Sequence, residues 1–181
     1  MSKNIIISSD STCDLSKEII DRYHIQILPM GVSLGNNIYR DGIDITPDDI
    51  YAHHAQTGQL PKTSAINVAE CIEHFEQLTR DGSAVIHFSL SSSMSSTYNN
   101  ACVAAQEFEN VYVVDTKNLS TGGGLLVIAA AEMVREGMEF PKRQQNLRTS
   151  WMHPLWWKTW NIWQRVAVAL RLQPLAQTCC S

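Results

Sequence analysis

Short apolar runs alternate with segments of helical periodicity over the first 135 residues, and this alternation limits the possible folds more than any other feature of the sequence. The apolar runs at residues 5–7, 25–28, 84–88 and 111–114 have the length of buried strands. The segments between them carry apolar residues at helical spacing. Strands that alternate with helices build βαβ units. The sequence therefore predicts an α/β domain with a mainly parallel sheet and helices on both of its faces.

Residues typical of helix starts mark three of the predicted helices. Asp14 is a candidate N-cap for the first helix, and Thr46 followed by Pro47 is typical of the start of the second. Asn67 and Glu70 have the spacing of a capping box at the start of the third. The remaining helices are predicted at residues 98–107 and 125–135.

Two glycine-containing segments predict local backbone geometry. Gly and Asn at residues 35–37 tolerate positive φ, so residues 32–34 and 38–39 are predicted to form a hairpin around them. The run Gly122-Gly123-Gly124 lacks the spacing of nucleotide-binding loops. We expect from it a close approach of a helix to a strand.

The distribution of charge indicates a boundary near residue 140. Residues 1–139 contain all 18 acidic residues and 8 basic ones, which gives 8 − 18 = −10, whereas residues 140–181 contain 6 basic residues and no acidic one. All five tryptophans lie in residues 151–163. The composition thus predicts an α/β domain over residues 1–140 and a tail over residues 141–181 that does not belong with it.

The cysteines and the hydropathy pattern favour a cytoplasmic location. The number of cysteines is odd and no CxxC pair is present, so we expect neither a disulfide framework nor a zinc site. We expect no cofactor, and Asp10 and Asp14 without a supporting histidine are weak evidence for a metal. No signal peptide and no membrane-spanning segment are expected, because the apolar runs are too short. The cysteines are Cys13, Cys71, Cys102, Cys179 and Cys180.

Hydroxyl and acidic side chains follow the predicted strands, where ligands of open α/β sheets bind. They lie at residues 8–12, 61–64, 89–97 and 115–121. The third segment lies in residues 89–98, which read SLSSSMSSTY. Seven of these ten residues are Ser or Thr, and none is Lys or Arg. A loop that offers hydroxyl groups but no Lys or Arg favours binding of a weakly charged anion, such as a carboxylate. The alternative is a solvated linker whose serines only cap the next helix.

Two other interpretations of the hydroxyl groups stay open at this stage. Thr63 and Ser64, placed in a loop that enters a helix, are either a second pair of ligand donors or simple helix caps. A serine nucleophile would need a nearby base, and histidines are present, but the GxSxG motif of α/β-hydrolases is absent. We expect His53 and His74 to lie on helix surfaces.

Six segments, taken in order, resemble the DegV family. The opening Asp10-Ser11-Thr12-Cys13-Asp14-Leu15 is similar to the D-S-T-x-D-L of that family, and residues 90–98 resemble its L-S-S-G-L-S-G-T-Y loop. Ser93 and Ser96 replace the two usual glycines of the loop, which would cause strain if positive φ were required there. The other matching segments are residues 28–30, 39–42, 61–64 and 114–122.

The resemblance implies a binding protein and not a free-standing enzyme. Members of this family hold a long-chain fatty acid in an apolar tunnel, and in some bacteria they present it to a separate kinase that phosphorylates the carboxylate. Carried over by motif, Thr63, Ser64, Ser91 and Ser92 would contact the carboxylate. Family members continue into a second α/β domain, which the tail of this chain does not resemble.

The basic, Trp-rich tail permits two hypotheses. One is a segment that interacts with nucleic acid or a membrane, although we expect no nucleic-acid partner and no stable membrane insertion. The other is a frameshift near residues 140–143, because the codons fixed by Trp and Met allow, in a shifted frame, a sequence that resembles the start of the second DegV domain. We then expect a disordered or aggregation-prone tail and weak or absent fatty-acid binding.

Overall fold

The computed structural model describes residues 4–137 of the chain. A 3₁₀ turn, Ser11–Cys13, follows the first strand. The strands are β1 (Ile5–Asp10), β2 (Gln26–Leu28), β3 (Gly31–Leu34), β4 (Asn37–Arg40), β5 (Lys62–Ser64), β6 (Ala84–Ser89) and β7 (Val111–Asp115). The helices are α1 (Lys17–Tyr23), α2 (Pro47–Thr57), α3 (Val68–Thr79), α4 (Thr97–Ala105) and α5 (Thr121–Arg135). The predictions for residues 141–181 concern a part of the chain outside the described residues.

The strands form one parallel and one antiparallel sheet. The parallel sheet has the order β2-β1-β6-β7, and the smaller antiparallel sheet has the order β4-β3-β5. Side chains of one strand point alternately to the two faces, yet all six residues of β6 are buried, so both faces of the parallel sheet are covered. The predicted α/β fold with a mainly parallel sheet is confirmed.

The core on one face of the parallel sheet lies under α3 and α4. These helices pack against each other and against β6, and α5 contacts β1 and β6 while packing on α1. Cys71 and Phe75 of α3 and Ala101 of α4 are fully buried in one cluster with Val85 of β6. Small residues on α4 let the helix approach α3 closely, which makes this face compact.

The helix starts confirm two of the three predicted caps and correct the third. Thr46 and Asn67 both form capping boxes, in which the side chain accepts from the third helical N–H. Asp14, in contrast, has a left-handed backbone with φ 49° at the end of the 3₁₀ turn, and Ser16 caps α1. Asp10 caps that extra turn, so the helix begins later than the sequence predicts.

The hairpin is confirmed, but the predicted loop at residues 61–64 is wrong. Gly35, with φ 58°, lies in the turn between β3 and β4. Residues 62–64 form the edge strand β5, in which Thr63 pairs with Val32 and Ser64 with Gly31. A polar three-residue edge strand has no alternating pattern, so it could not be recognised from sequence. Thr63 and Ser64 therefore do not cap α3, because Asn67 does.

The glycine run lies inside α5, which begins four residues earlier than predicted. A Cβ on Gly124 would stand 2.5 Å from the backbone oxygen of Cys13, so glycine permits a close approach of α5 to the 3₁₀ turn. The expected close approach is thus found, with the turn after β1 in place of a strand. Within residues 4–137 no helix has the length and apolarity needed to cross a membrane.

Candidate functional site

The carboxyl ends of β1, β6 and β7 lie side by side, and they bring three of the four predicted hydroxyl-rich segments to one edge. In the parallel register Ser9 pairs with Phe88, and Ser89 pairs with Asp115. Residues 89–97, which we call the serine loop, therefore lie between the turn after β1 and the loop after β7. This edge is where ligands of parallel sheets bind.

Asp10 joins the first two of these strand ends. One carboxylate oxygen accepts hydrogen bonds from the backbone N–H of Leu90 at 2.8 Å and from the hydroxyl of Ser89 at 3.2 Å. The other accepts from the hydroxyl of Thr12 at 2.6 Å and from its N–H at 3.2 Å. Burial raises the pKa of Asp10, although these hydrogen bonds favour its charged form. A carboxylate so fully engaged holds the loop and has little left to offer a ligand.

Ser91 is largely engaged within the serine loop. Only 3% of its surface is exposed, and its N–H donates to the carbonyl of Asn118 at 3.0 Å. Its hydroxyl oxygen accepts from the N–H of Ser93 at 3.3 Å and lies 2.8 Å from the Ser93 hydroxyl. Neither Ser93 nor Ser96 has positive φ, so serine replaces the usual glycines without that strain. Ser91 shapes the loop and presents little surface.

Ser92 is half-buried and is held by the loop after β7. Its N–H donates to Asp115 Oδ1 at 3.2 Å, its hydroxyl also donates to the Asp115 carboxylate, and its hydroxyl oxygen accepts from Lys117 Nζ at 2.8 Å. Lys117 Nζ also lies 2.6 Å from Asp115 Oδ2. Burial raises the pKa of Asp115, but the hydrogen bonds from Lys117 and Ser92 outweigh it and hold that pKa below its ordinary value. Asp115 therefore stays charged beside the ammonium group.

Lys117 places a basic side chain beside the serine loop, where the sequence predicts none. The loop itself contains no Lys or Arg, but the next loop supplies one in space. The contact between Lys117 and the serine loop follows from the pairing of β6 with β7, because the segments that follow neighbouring parallel strands lie next to each other. That adjacency is a property of the strand order, which sequence periodicity alone does not contain.

Thr63 and Ser64 are exposed on the edge strand β5, and the structure links them to the serine loop indirectly. Ile66, two residues beyond Ser64, donates its N–H to Thr97 Oγ1 at 3.2 Å and accepts from Asn100 Nδ2 at 2.7 Å through its carbonyl. Both partners lie in the first turn of α4, where the serine loop ends. These two hydrogen bonds fix the segment that leaves β5 against the end of the serine loop.

Apolar side chains are exposed next to these hydroxyls. Met94, within the serine loop, is 58% exposed, and Leu119, in the loop after β7, is 45% exposed. Large apolar groups on a surface are of interest when they neighbour polar binding groups. The edge thus combines hydrogen-bond donors for an anion with apolar surface.

A serine–histidine arrangement is present, but it lies in the interior. Ser8 Oγ is 2.8 Å from His74 Nε2 and 3.0 Å from His87 Nδ1, and Ser8 and His87 are fully buried. Burial lowers the pKa of both histidines to about 3, and for His74 the neighbouring His87 adds to the effect. His74 lies on a helix, α3, as predicted, but it is half-buried and not fully on the surface. A serine that no substrate reaches gives the hydrolase alternative no support.

Comparison with known proteins adds a family to this geometry. The model of the DegV family, described as an uncharacterised protein family, matches residues 4–150. The chain belongs to the DegV family. A DegV domain-containing protein of Clostridium perfringens is 38% identical over 136 residues, which is 74% of this chain and 49% of that protein.

Solved structures of DegV proteins have the same fold. A stearic acid-binding protein from Eubacterium ventriosum is 33% identical, with a TM-score of 0.68 over 77% of this chain and 50% of its own. DegV from Bacillus subtilis, described as a fatty acid binding protein, is 28% identical, with a TM-score of 0.74 over 81% of this chain and 53% of its own. The chain therefore spans about half the length of the relatives it matches.

Proposed function

We propose that this chain binds a long-chain fatty acid, that hydroxyls of Thr63, Ser64 and Ser92 contact its carboxylate, and that Ser91 shapes the serine loop at this site. The observation that carries the proposal is the Ser92 hydroxyl at the carboxyl edge of the parallel sheet. This hydroxyl is held between Lys117 and Asp115, so a ligand carboxylate would compete with Asp115 for hydrogen bonds from both Ser92 and Lys117. A carboxylate only accepts hydrogen bonds, and it is therefore the complementary ligand.

The surroundings of Ser92 support an acyl chain behind the carboxylate. Met94 and Leu119 expose apolar surface beside the hydroxyl groups, and an amphipathic ligand needs both kinds of contact. Ser91, which is almost fully buried, contributes mainly by shaping the loop. Thr63 and Ser64 add exposed hydroxyls from β5, of which the Ser64 hydroxyl donates to the Gly31 carbonyl at 3.5 Å. The segment after β5 is tied to the loop end through Ile66.

The solved relatives support the same ligand class. Those from Eubacterium ventriosum and Bacillus subtilis are described as stearic acid-binding and fatty acid binding. Because this chain matches about half of each, we expect its own affinity to be lower than that of a full-length relative. We further propose a cytoplasmic role in which the bound acid is presented to a separate kinase that phosphorylates the carboxylate.

Lipid analysis of the purified chain tests the binding proposal. The chain, produced in bacteria, is examined by native mass spectrometry and by organic extraction for a non-covalently held long-chain acid. We expect a retained acid, which Ser92→Ala together with Thr63→Val depletes at least severalfold. Thr57→Ala is the matched control, since Thr57 is an exposed hydroxyl on α2 that bonds only to nearby backbone. No retained acid, and no uptake of added stearic acid, would overturn the proposal.

The kinase proposal needs a separate assay. A candidate kinase from the same cell is incubated with labelled ATP and the acid-loaded chain, and phosphate transfer to the lipid is measured. We expect transfer only when acid, chain and kinase are all present. Transfer to free acid at the same rate without the chain would contradict the presenting role while leaving the binding proposal intact.

A further inference from the structure

Ile66 joins the segment after β5 to the start of α4 through both of its backbone groups. Its N–H donates to Thr97 Oγ1 at 3.2 Å, and its carbonyl accepts from Asn100 Nδ2 at 2.7 Å. Both partners lie in the first turn of α4, 31 and 34 positions away along the chain. We call the side chains of Thr97 and Asn100 the α4 clamp, because together they hold one backbone segment on both its donor and its acceptor side.

The α4 clamp acts on a buried residue. Ile66 is 1% exposed, Thr97 is fully buried, and Ile66 belongs to the core cluster that contains Phe75 and Leu90. A buried N–H that loses its acceptor is left without a partner, whereas an exposed one would bond to water. The clamp therefore fixes the backbone at Ile66 more firmly than hydrogen bonds on the surface would.

The clamp continues into the serine loop through Ser95. Ser95 Oγ lies 2.9 Å from Thr97 Oγ1 and accepts from the N–H of Thr97 at 3.2 Å. The Thr97 hydroxyl thus bonds to Ile66 on one side and to the serine loop on the other. One chain of hydrogen bonds therefore connects the serine loop with the segment after β5.

The strand β5 is held on one side only. It is an edge strand of the antiparallel sheet, where it pairs with β3, and all three of its residues are exposed. Side-chain packing within β5 therefore adds little to its position. Ile66 is the first buried residue after the strand. The clamp on Ile66 is thus the tie between β5 and the helix that follows the serine loop.

Thr63 is the hydroxyl of β5 whose position matters most for a ligand. It pairs with Val32, which is 4% exposed, and antiparallel partners project from the same face of a sheet. Within residues 4–137 no hydrogen bond engages its hydroxyl, so the proton of that hydroxyl is available to an acceptor. The hydroxyl of Ser64, in contrast, donates to the Gly31 carbonyl.

We infer that Thr97 and Asn100 are positioning residues, which hold the Thr63 hydroxyl at a fixed place beside the serine loop so that both reach one carboxylate. The inference rests on the proposed function above. If β5 and the serine loop moved independently, binding would have to order them relative to each other, which costs affinity. The α4 clamp orders them before the ligand arrives.

A double-mutant cycle on the affinity for stearic acid provides the test. Partitioning of the labelled acid from lipid vesicles onto the full chain is measured with and without Thr63→Val, in the unmodified protein, in Asn100→Ala and in Thr97→Val. We expect Thr63→Val to weaken binding about tenfold in the unmodified protein, since a hydrogen bond to a charged group is lost. Once the clamp is removed, the same substitution should change binding less than about twofold, because the hydroxyl is no longer held against the ligand.

Neighbouring and conservative substitutions serve as controls. Asn99 is exposed on the same turn of α4, so Asn99→Ala removes the same kind of side chain outside the clamp and should leave the effect of Thr63→Val at about tenfold. Thr97→Ser keeps the acceptor for Ile66 and should restore what Thr97→Val removes. Urea unfolding establishes that each variant is folded. If Thr97→Val does not fold, Asn100→Ala, at a half-buried position, carries the test.

The outcomes separate this inference from the proposed function. If stearic acid binds and Thr63→Val has the same effect with and without the clamp, or no effect in the unmodified protein, the inference is overturned while fatty-acid binding stands. If Asn99→Ala acts like Asn100→Ala, or Thr97→Ser acts like Thr97→Val, a general disturbance of α4 replaces the clamp and the inference fails. If the unmodified chain binds no stearic acid, the proposed function itself fails, and the inference fails with it.

Discussion

The parallel sheet and the segment of residues 31–64 differ in how much side-chain surface they bury. In β6 every residue is buried, whereas α2, which lies in the segment, has no buried residue. The segment buries Val32 and Ile45 but exposes large apolar side chains. The exposed ones are Ile38, Ile43, Tyr51 and Leu60. We conclude that the parallel sheet and its helices supply most of the stability, and that the segment carries Thr63 and Ser64 on a less buried support.

The largest difference between the two regions should appear when one aromatic side chain is removed from each. Phe75 of α3 is fully buried and its ring lies 5.3 Å from that of His87, so Phe75→Ala should cost about 3–5 kcal/mol. Tyr51 of α2 is 71% exposed, and Tyr51→Ala should stay within about 0.5 kcal/mol. Urea unfolding measures both. Equal losses would mean that α2 is packed as tightly as α3, contrary to the comparison.

Acid should destabilise the parallel sheet and its helices through two histidines, the half-buried His74 and the fully buried His87. Burial lowers the pKa of His74 and of His87 to about 3, from an ordinary value of 6.5. A base with a lowered pKa in the folded protein binds protons mainly when unfolded, so stability is full above pH 6.5 and is lost as the pH falls toward the folded pKa. At a pH of about 5 each histidine should cost up to about 2 kcal/mol.

A variant assigns this loss to the histidines. His74→Gln should be less stable than the unmodified protein near neutral pH, because it alters the hydrogen bond to Ser8, and it removes one of the two titrating groups. Its free energy of unfolding, measured by urea titration between about pH 8 and about pH 5, should fall with roughly half the slope of the unmodified protein. An unchanged slope would place the acid sensitivity elsewhere.

Neighbouring glycines of α5 should respond oppositely to the same substitution. A Cβ on Gly124 would meet the Cys13 carbonyl at 2.5 Å, so Gly124→Ala should cost about 1–3 kcal/mol. A Cβ on Gly123 has its nearest neighbour at 3.8 Å, on Thr116, and alanine favours the helix, so Gly123→Ala should be stabilising by up to about 1 kcal/mol. Thermal or urea unfolding gives the sign of the change in stability for each variant. A stabilising Gly124→Ala would contradict the close approach of α5 to the turn after β1.

Signals that act within a few residues could be read from the sequence, whereas those that depend on strand order could not. The capping boxes at Thr46 and Asn67 were predictable because both partners lie in one helical turn. The contact between Lys117 and Ser92 joins residues that are 25 positions apart, and only the pairing of β6 with β7 brings them together. The partial burial of His74 was missed for the same reason, since its partner Ser8 is 66 positions away.

The candidate site shows the same division. The hydroxyl-rich composition of the serine loop and its position after a strand are visible in the sequence, and they predict an anion. Which hydroxyl remains able to donate is not visible, because it depends on the partners that Ser91 and Ser92 acquire from Asn118, Asp115 and Lys117. Composition therefore indicates the class of ligand, and the folded contacts decide which atoms are available to it.

The smallest expected effect comes from removing one helix cap in each region, and it tests whether α2 unfolds together with the rest. Asn67→Ala should lower the global free energy of unfolding by about 1 kcal/mol, since α3 carries the buried Cys71 and Phe75. Thr46→Ala loses a similar cap, but α2 has no fully buried residue, so the global value should change by less than about 0.5 kcal/mol. The loss should appear instead as roughly fivefold faster amide hydrogen exchange within α2. Equal global losses from the two variants would mean that α2 belongs to the same cooperative unit as the parallel sheet, and Thr63 and Ser64 would then rest on a support as rigid as that of the serine loop.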